Sequence, residues 1–345
     1  MMDIPLSLTR ILEYGASVHG DTTVTTWHGE GTGSEFDPAE EVTFRDIAAR
    51  AAAFAHAIHD ELGITSDERV GSFMWNCAEH LEVMFGTACK GAIFAPLNKQ
   101  LMNDQIRHII NHAEISAIVC DPRLAQQLGK VLVGTDSVGS VIITGAQPAQ
   151  QFAHLFPRGV EVYSYEALID GRSTVYDWPE LDERTAAALC YSTGTTGAPK
   201  GVLYSHRSLY LEAMQLRSSD SLCITHGETF LCCIPICHVL SWGVPFTCFM
   251  TGTPLVLPDA DVSAPTLAKA IAATSPRVAH GVPTIWIQLF VHYMHHPPER
   301  MTLTEIYAGG SPVPPTLIKM WEERYGVDVV LSLIHISEPT RLLSI

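Results

Sequence analysis

From 230 to 258 the chain carries no Asp, Glu, Lys or Arg. A run of that kind has to be withdrawn from water, either in a bilayer or in a protein core. Pro235, Pro245 and Pro254, with Gly243 and Gly252, break any single spanning helix, because proline lacks an N–H and clashes with the preceding turn. No transmembrane segment is therefore expected. The reading that remains is strand, loop, helix and strand, all buried inside an α/β protein. Hydrophobic residues make up 47% of the 345. That is enough for a large core, in one large domain or two lobes.

Helix and strand signals alternate along the rest of the chain. Thr43 with Asp46 reads as a capping box. Phe44, Ile47, Ala51, Phe54, Ala55, Ile58 and Leu62 then mark one helix face, which Gly63 ends. Strands are expected at 70–74, 92–95, 117–120, 141–143 and 186–190, then at 230–234, 254–257, 278–279 and 306–308. Helices are expected at 78–88, after Asn103 as a cap, and after Ser205 as a cap. Repeated strand–helix units predict mainly parallel sheets covered by helices. The turn-rich stretches 145–152 and 171–183 are expected to join two lobes.

Directly after the apolar run 186–190 comes Tyr191-Ser192-Thr193-Gly194-Thr195-Thr196-Gly197-Ala198-Pro199-Lys200-Gly201. Glycines let backbone N–H groups converge on one point, and such a concavity binds anions. The hydroxyls add donors, and Lys200 adds a compact positive charge suited to phosphate. The spacing is not that of the Walker loop, because Gly201 stands where Ser or Thr would follow the lysine. A Gly/Thr surface turn is the bland alternative, disfavoured by so many donors beside a lysine.

The 191–201 segment resembles the phosphate-loop signature of the adenylate-forming enzymes, a group that includes acyl-CoA synthetases, luciferases and peptide-synthetase adenylation domains. Pro235-Ile236-Cys237-His238-Val239-Leu240-Ser241-Trp242-Gly243 resembles the Pro-x-Phe-His segment, ending in Trp-Gly, of fatty-acyl-CoA synthetases. Gly281-Val282-Pro283-Thr284 resembles the family's acyl-pocket strand end, and Gly309-Gly310-Ser311-Pro312-Val313-Pro314 its adenine-side segment. Leu97-Asn98 and Ile110-Asn111-His112-Ala113-Glu114 also look like this group. The resemblance runs from Pro5 to about Val330 and implies the two-lobed N-terminal domain of the adenylate-forming fold.

The resemblance implies ATP-dependent activation of a medium- or long-chain fatty acid to an acyl-adenylate, then transfer to coenzyme A, with Mg2+ on the phosphates. Lys200, Thr193 and His238 would be catalytic. Ser192, Thr193, Gly194, Thr195, Thr196, Gly197 and Lys200 would hold the phosphates, and Gly309, Gly310 and Ser311 the adenine. His238, Val239, Trp242, Gly243, Gly281 and Val282 would line the acyl pocket. No residue is assigned to the metal. Spacing alone leaves three plainer alternatives open: a strand-to-helix turn at 309–311, a core histidine at 238, and simple packing by Trp242. Cys237 stands where relatives carry Phe, which puts the pocket's shape in question. A ligase for an aryl or amino acid, and a non-catalytic nucleotide-binding fragment, are the competing functions.

Composition narrows the classes further. The formal net charge is −16 with 17% charged residues. That argues against nucleic acid, which needs a basic footprint, and against broad docking on anionic membranes. Nine irregularly spaced cysteines suggest reduced, buried thiols in a cytoplasmic protein. Cys232, Cys233, Cys237 and His238 match no common zinc spacing. His292, His295 and His296 are expected in solvent near a helix end. The start lacks a secretory signal. A homodimer is left open.

The run LSLIHISEPTR from Leu331 does not continue the family pattern. It resembles translated sequencing-adaptor DNA. The expectation is a truncated domain at 1–330, a non-native tail at 331–345, and no C-terminal lid domain. The family's Thr-Glu motif, its ribose-binding Asp and its lid lysine are not in this sequence. The fragment is therefore expected to be incompetent alone.

Overall fold

Parallel strands dominate the computed structural model, which describes residues 4–29, 39–192 and 198–331. In chain order the strands are β1 (Thr23–Trp27), β2 (Ala39–Thr43), β3 (Arg69–Phe73), β4 (Ile93–Pro96), β5 (Ile115–Cys120), β6 (Ser140–Ile143) and β7 (Glu161–Ser164). They continue as β8 (Ala186–Ser192), β9 (Lys200–Ser205), β10 (Phe230–Cys232), β11 (Leu255–Leu257), β12 (Val278–Gly281), β13 (Glu305–Ala308) and β14 (Asp328–Leu331). They form two seven-stranded sheets, ordered β14-β13-β12-β10-β11-β1-β2 and β7-β6-β5-β3-β4-β8-β9. Only the edge pairs β1–β2 and β8–β9 are antiparallel. This is the expected α/β class, mainly parallel and helix-covered.

Local signals place the helices well. The helix Phe44–Asp60 starts at the expected capping box, with Asp46 N donating to Thr43 Oγ1 at 3.1 Å and Thr43 N to Asp46 Oδ2 at 2.9 Å. It ends as read: Gly63 takes φ +65°, and Ile64 N returns to Ile58 O at 2.9 Å. Ser205 caps the helix His206–Leu216 by accepting from Ser208 N. Asn103 differs from its expected role. It is already the first residue of the helix Asn103–Ala113, and Gln105 Oε1 accepts from Met102 N instead, at 3.2 Å.

The charge-free run is fully absorbed into the core. After β10 it makes a short turn, then the helix Val244–Thr251, every residue of which is buried, then β11. Phe249 stacks on Phe44 with centroids 3.9 Å apart and meets Phe85 at 4.7 Å. Phe85 belongs to the helix Ala78–Cys89, which is buried nearly all round. One continuous cluster joins these helices to Val24, Phe230 and Leu255 of one sheet and Val70, Phe94 and Ala188 of the other. The two sheets therefore share a core.

The stretches 145–152 and 171–183 do not join the sheets. The first lies between β6 and β7 and the second precedes β8, all within one sheet. The crossings are made by the helix Phe44–Asp60 and by the segment from β9 to β10. A polar, turn-rich composition marks surface loops, whether or not they change layer. The tail expected from Leu331 overlaps β14, where Leu331 pairs with Ala308. Residues 332–345 lie outside the described residues. Among those described, no helix is long and apolar enough to cross a membrane. All nine cysteines are unpaired, and all but Cys223 are buried.

Candidate functional site

A cavity of about 770 Å3 opens where strand ends of both sheets meet. Trp75 and Asn76 reach it from beyond β3, and Lys99 from beyond β4. His238, Val239 and Trp242 follow β10, while Asp259 and Asp261 follow β11. Val282, Thr284 and Ile285 follow β12, and Gly309 and Gly310 follow β13. All six are carboxyl ends of parallel strands, the usual place for ligands in open α/β sheets.

The wall carrying His238 has an unusual backbone. Val239, Leu240, Ser241 and Trp242 all take left-handed φ, between 47° and 58°, before Gly243 at 69°. Each non-glycine residue there costs roughly 1–2 kcal/mol, so the turn persists only if its surroundings hold it. Ser241 Oγ donates to Ile234 O at 2.6 Å and lies 2.9 Å from Cys232 Sγ. His280 Nε2 lies 3.2 Å from Ser241 O. The His280 ring meets the Trp242 indole edge-on at 5.4 Å. Burial pushes the His280 pKa down to about 4, so the ring is a neutral hydrogen-bonding group. Cys232 thus serves this clamp.

Asn76 fixes the same wall from the other sheet. Its Nδ2 donates to Ile234 O at 2.8 Å and Cys232 O at 3.2 Å, and its Oδ1 accepts from Ile236 N at 3.1 Å.

Charge is concentrated on one side of the cavity. Arg123 donates to both Asp259 oxygens at 2.7 Å and also grips Asp121. His28 Nδ1 lies 3.1 Å from Asp259. Its hydrogen bonds to Asp259 and Glu40 raise the His28 pKa to about 9. Burial alone would raise the Asp259 carboxyl, but His28 and Arg123 together hold it below its usual value. His238 is accessible to solvent yet hemmed in by the concave wall. Burial, and then the nearby Lys99 charge, lower its pKa.

The cavity unites six of the residues singled out in the sequence: His238, Val239, Trp242, Val282, Gly309 and Gly310. Ser311 follows directly and is exposed. Gly243 and Gly281 are buried behind the wall. A Cβ on Gly243 would sit 3.2 Å from Glu212 Cδ, and one on Gly281 would sit 2.9 Å from the Trp286 ring. Both glycines shape the wall by close packing. Ser192 and Lys200 face each other across β8 and β9, both exposed. Thr193, Gly194, Thr195, Thr196 and Gly197 lie outside the described residues. Sequence reasoning missed Trp75, Asn76, Lys99 and Asp259. The available signal was position: each lies two or three residues beyond the end of a strand. Of the three clustered histidines, His292 is half-buried and His295 and His296 are exposed.

The model of the family described as "AMP-binding enzyme" matches residues 12–335. The chain is 32% identical to a 3-methylmercaptopropionyl-CoA ligase of Ruegeria lacuscaerulensis, over 96% of this chain and 59% of that protein. It is 31% identical to a medium-chain-fatty-acid–CoA ligase of Ectopseudomonas oleovorans, over 96% and 58%. The chain thus spans under two thirds of the length of these relatives. Among solved structures, an anthranilate CoA ligase in complex with anthranoyl-AMP superposes with a TM-score of 0.81 at 21% identity, over 96% of this chain and 61% of that one. A long-chain-fatty-acid-CoA ligase from Archaeoglobus fulgidus gives 0.78 at 21% identity, over 96% and 66%.

Proposed function

The chain belongs to the AMP-binding enzyme family, and from that premise we propose that it forms the nucleotide- and acyl-binding part of a fatty-acyl-CoA synthetase. One observation carries the reading. A single cavity brings the expected acyl-side residues His238, Val239, Trp242 and Val282 together with the expected adenine-side Gly309 and Gly310. Two glycines offer bare backbone to a flat nucleobase, and the aromatic and aliphatic side chains suit an alkyl tail.

In the proposed reaction a carboxylate oxygen attacks the α-phosphorus of ATP and the bond to pyrophosphate breaks. The CoA thiol then attacks the acyl carbon, and AMP leaves. Catalysis of this kind is mainly positioning and charge stabilisation. Ser192, Thr193, Gly194, Thr195, Thr196, Gly197 and Lys200 take the β- and γ-phosphates in this reading. Ser311 adds to the adenine side. Neutral His238 hydrogen-bonds the reacting carboxyl group, and the clamped turn holds it in place. Gly243 and Gly281 act through the packing of the pocket wall. Mg2+ would neutralise phosphate charge. Among the described residues no His, Cys, Asp or Glu cluster forms a metal site, so none is assigned to it.

A short thioether acid is the second reading, favoured by the Ruegeria relative. Acid-dependent ATP–pyrophosphate exchange by the full-length protein tests both. Exchange with medium- or long-chain fatty acids supports the first, and exchange confined to short thioether acids the second. Exchange only with aryl or amino acids, or with none, overturns both.

A further inference from the structure

Lys99 is a buried cation on the cavity wall. It follows β4 and is only 9% exposed. Its Nζ donates to Met74 O at 3.1 Å and lies 4.0 Å over the Trp75 ring. An ammonium carries three donors, and among the described residues no carboxylate is within ion-pairing distance of this one. Burying a charge without a counter-ion is costly. Burial lowers the Lys99 pKa accordingly, and an anion brought by a ligand would offset that cost.

The surrounding groups do not supply that anion. Asp121 and Asp259 attract Lys99 through space. However, Arg123 bonds both carboxylates, and His28, charged at neutral pH, bonds Asp259. Two cations thus balance two anions. Glu40 is more than half exposed and contacts His28 on its other nitrogen at 3.7 Å. The remaining neighbours are His80 and His238, whose pKa values Lys99 helps to lower, and Cys237 and Cys77, whose thiols burial pushes up. None of them is an anion at neutral pH. Lys99 acts through space on His238, which puts it beside one of the expected acyl-side residues. The expected phosphate lysine, Lys200, stands on another pair of strands.

We propose that Lys99 is the substrate-binding cation that receives the ionised carboxylate of the acid before it is activated. This rests on the acyl-cavity reading above and deepens it: the site selects acids over neutral molecules with the same tail. Lys99 supplies the charge, while His238 contributes a neutral hydrogen bond that orients the group. The aromatic face of Trp75 holds the ammonium in place from the protein side.

The test is calorimetric titration of the purified chain at neutral pH with decanoate and with 1-decanol. The wild type should bind decanoate about 10- to 100-fold more tightly, the range for a hydrogen bond to a charged group. Lys99→Met should remove most of that preference while leaving decanol within about twofold, because the methylene stem and its packing remain. Lys99→Arg should keep a preference for the acid. Equal binding of both ligands by the wild type overturns the proposal without any variant, and leaves the acyl cavity standing. Undiminished decanoate preference in a folded Lys99→Met also overturns it, as does an equal loss of both ligands. Binding of neither ligand by the wild type removes the acyl cavity itself, and the proposal with it.

Discussion

Asn76 and Ile234 are held together at 2.8 Å, amide nitrogen to carbonyl oxygen, across the junction of the two sheets. The same side chain also takes the N–H of Ile236. Replacement by leucine keeps the branched shape but leaves these buried backbone groups without partners. Asn76→Leu should lower stability by about 2–3 kcal/mol, read from the urea unfolding midpoint. A loss under about 0.5 kcal/mol would show that water replaces the amide without penalty.

His28 gives the fold a specific alkaline sensitivity. Its folded pKa, about 9, lies above the ordinary histidine value of 6.5. A raised pKa contributes stability in full below the unfolded value and loses it as pH rises through the folded one. Wild-type stability relative to His28→Gln should therefore fall between pH 6.5 and 9. Denaturant melts across that range check it, and a constant difference would remove the His28–Asp259 pairing from the account.

Gly243 closes the left-handed turn with φ +69° and has Glu212 packed against its open side. Gly243→Ala should cost roughly 1–2 kcal/mol from backbone strain alone, more if Glu212 cannot move. Because Trp242 precedes it, the variant should also shift tryptophan emission. A thermal melt identical to wild type would mean that the turn adapts freely.

Lys200 is exposed on β9, so its removal should spare the fold and act on chemistry. Lys200→Ala should slow ATP–pyrophosphate exchange in the full-length protein by about 10²-fold, as removal of one charge-stabilising donor does elsewhere. Circular dichroism should be unchanged. An unaltered exchange rate would detach Lys200 from the phosphates.

Tail length offers an independent measure of the cavity. Each buried methylene contributes about 0.8 kcal/mol, so affinity should rise roughly fourfold per added carbon until the apolar wall ends. Titration of a homologous acid series reads the break point. A flat series would exclude an alkyl-binding wall.

The alternation of strands and helices was legible in the sequence because it depends on local periodicity. The capping box at Thr43 and Asp46 and the stop at Gly63 were legible for a related reason: their hydrogen bonds close within a few residues. The connectors were misread at 145–152 and 171–183, since loop composition reports exposure and not which sheet comes next. Three of the six strand ends on the cavity were legible through motif resemblance, at His238, Trp242, Val282, Gly309 and Gly310. The other three were not. Asn76, Lys99 and Asp259 stand as single polar residues whose neighbours lie far off in the chain.

By itself, then, the order of residues determined a charge-free stretch that must be buried and a strand–helix rhythm that must form parallel sheets. Packing alone decided that six strand ends converge on one cavity and that four non-glycine residues turn left-handed beside it. It also decided that Lys99 lies out of solvent with no carboxylate within ion-pairing distance among the described residues. The physical reason is range. Hydrogen-bonded caps and side-chain periodicity act over a few residues, whereas desolvation, strain and charge balance are set by groups that only the folded chain brings together.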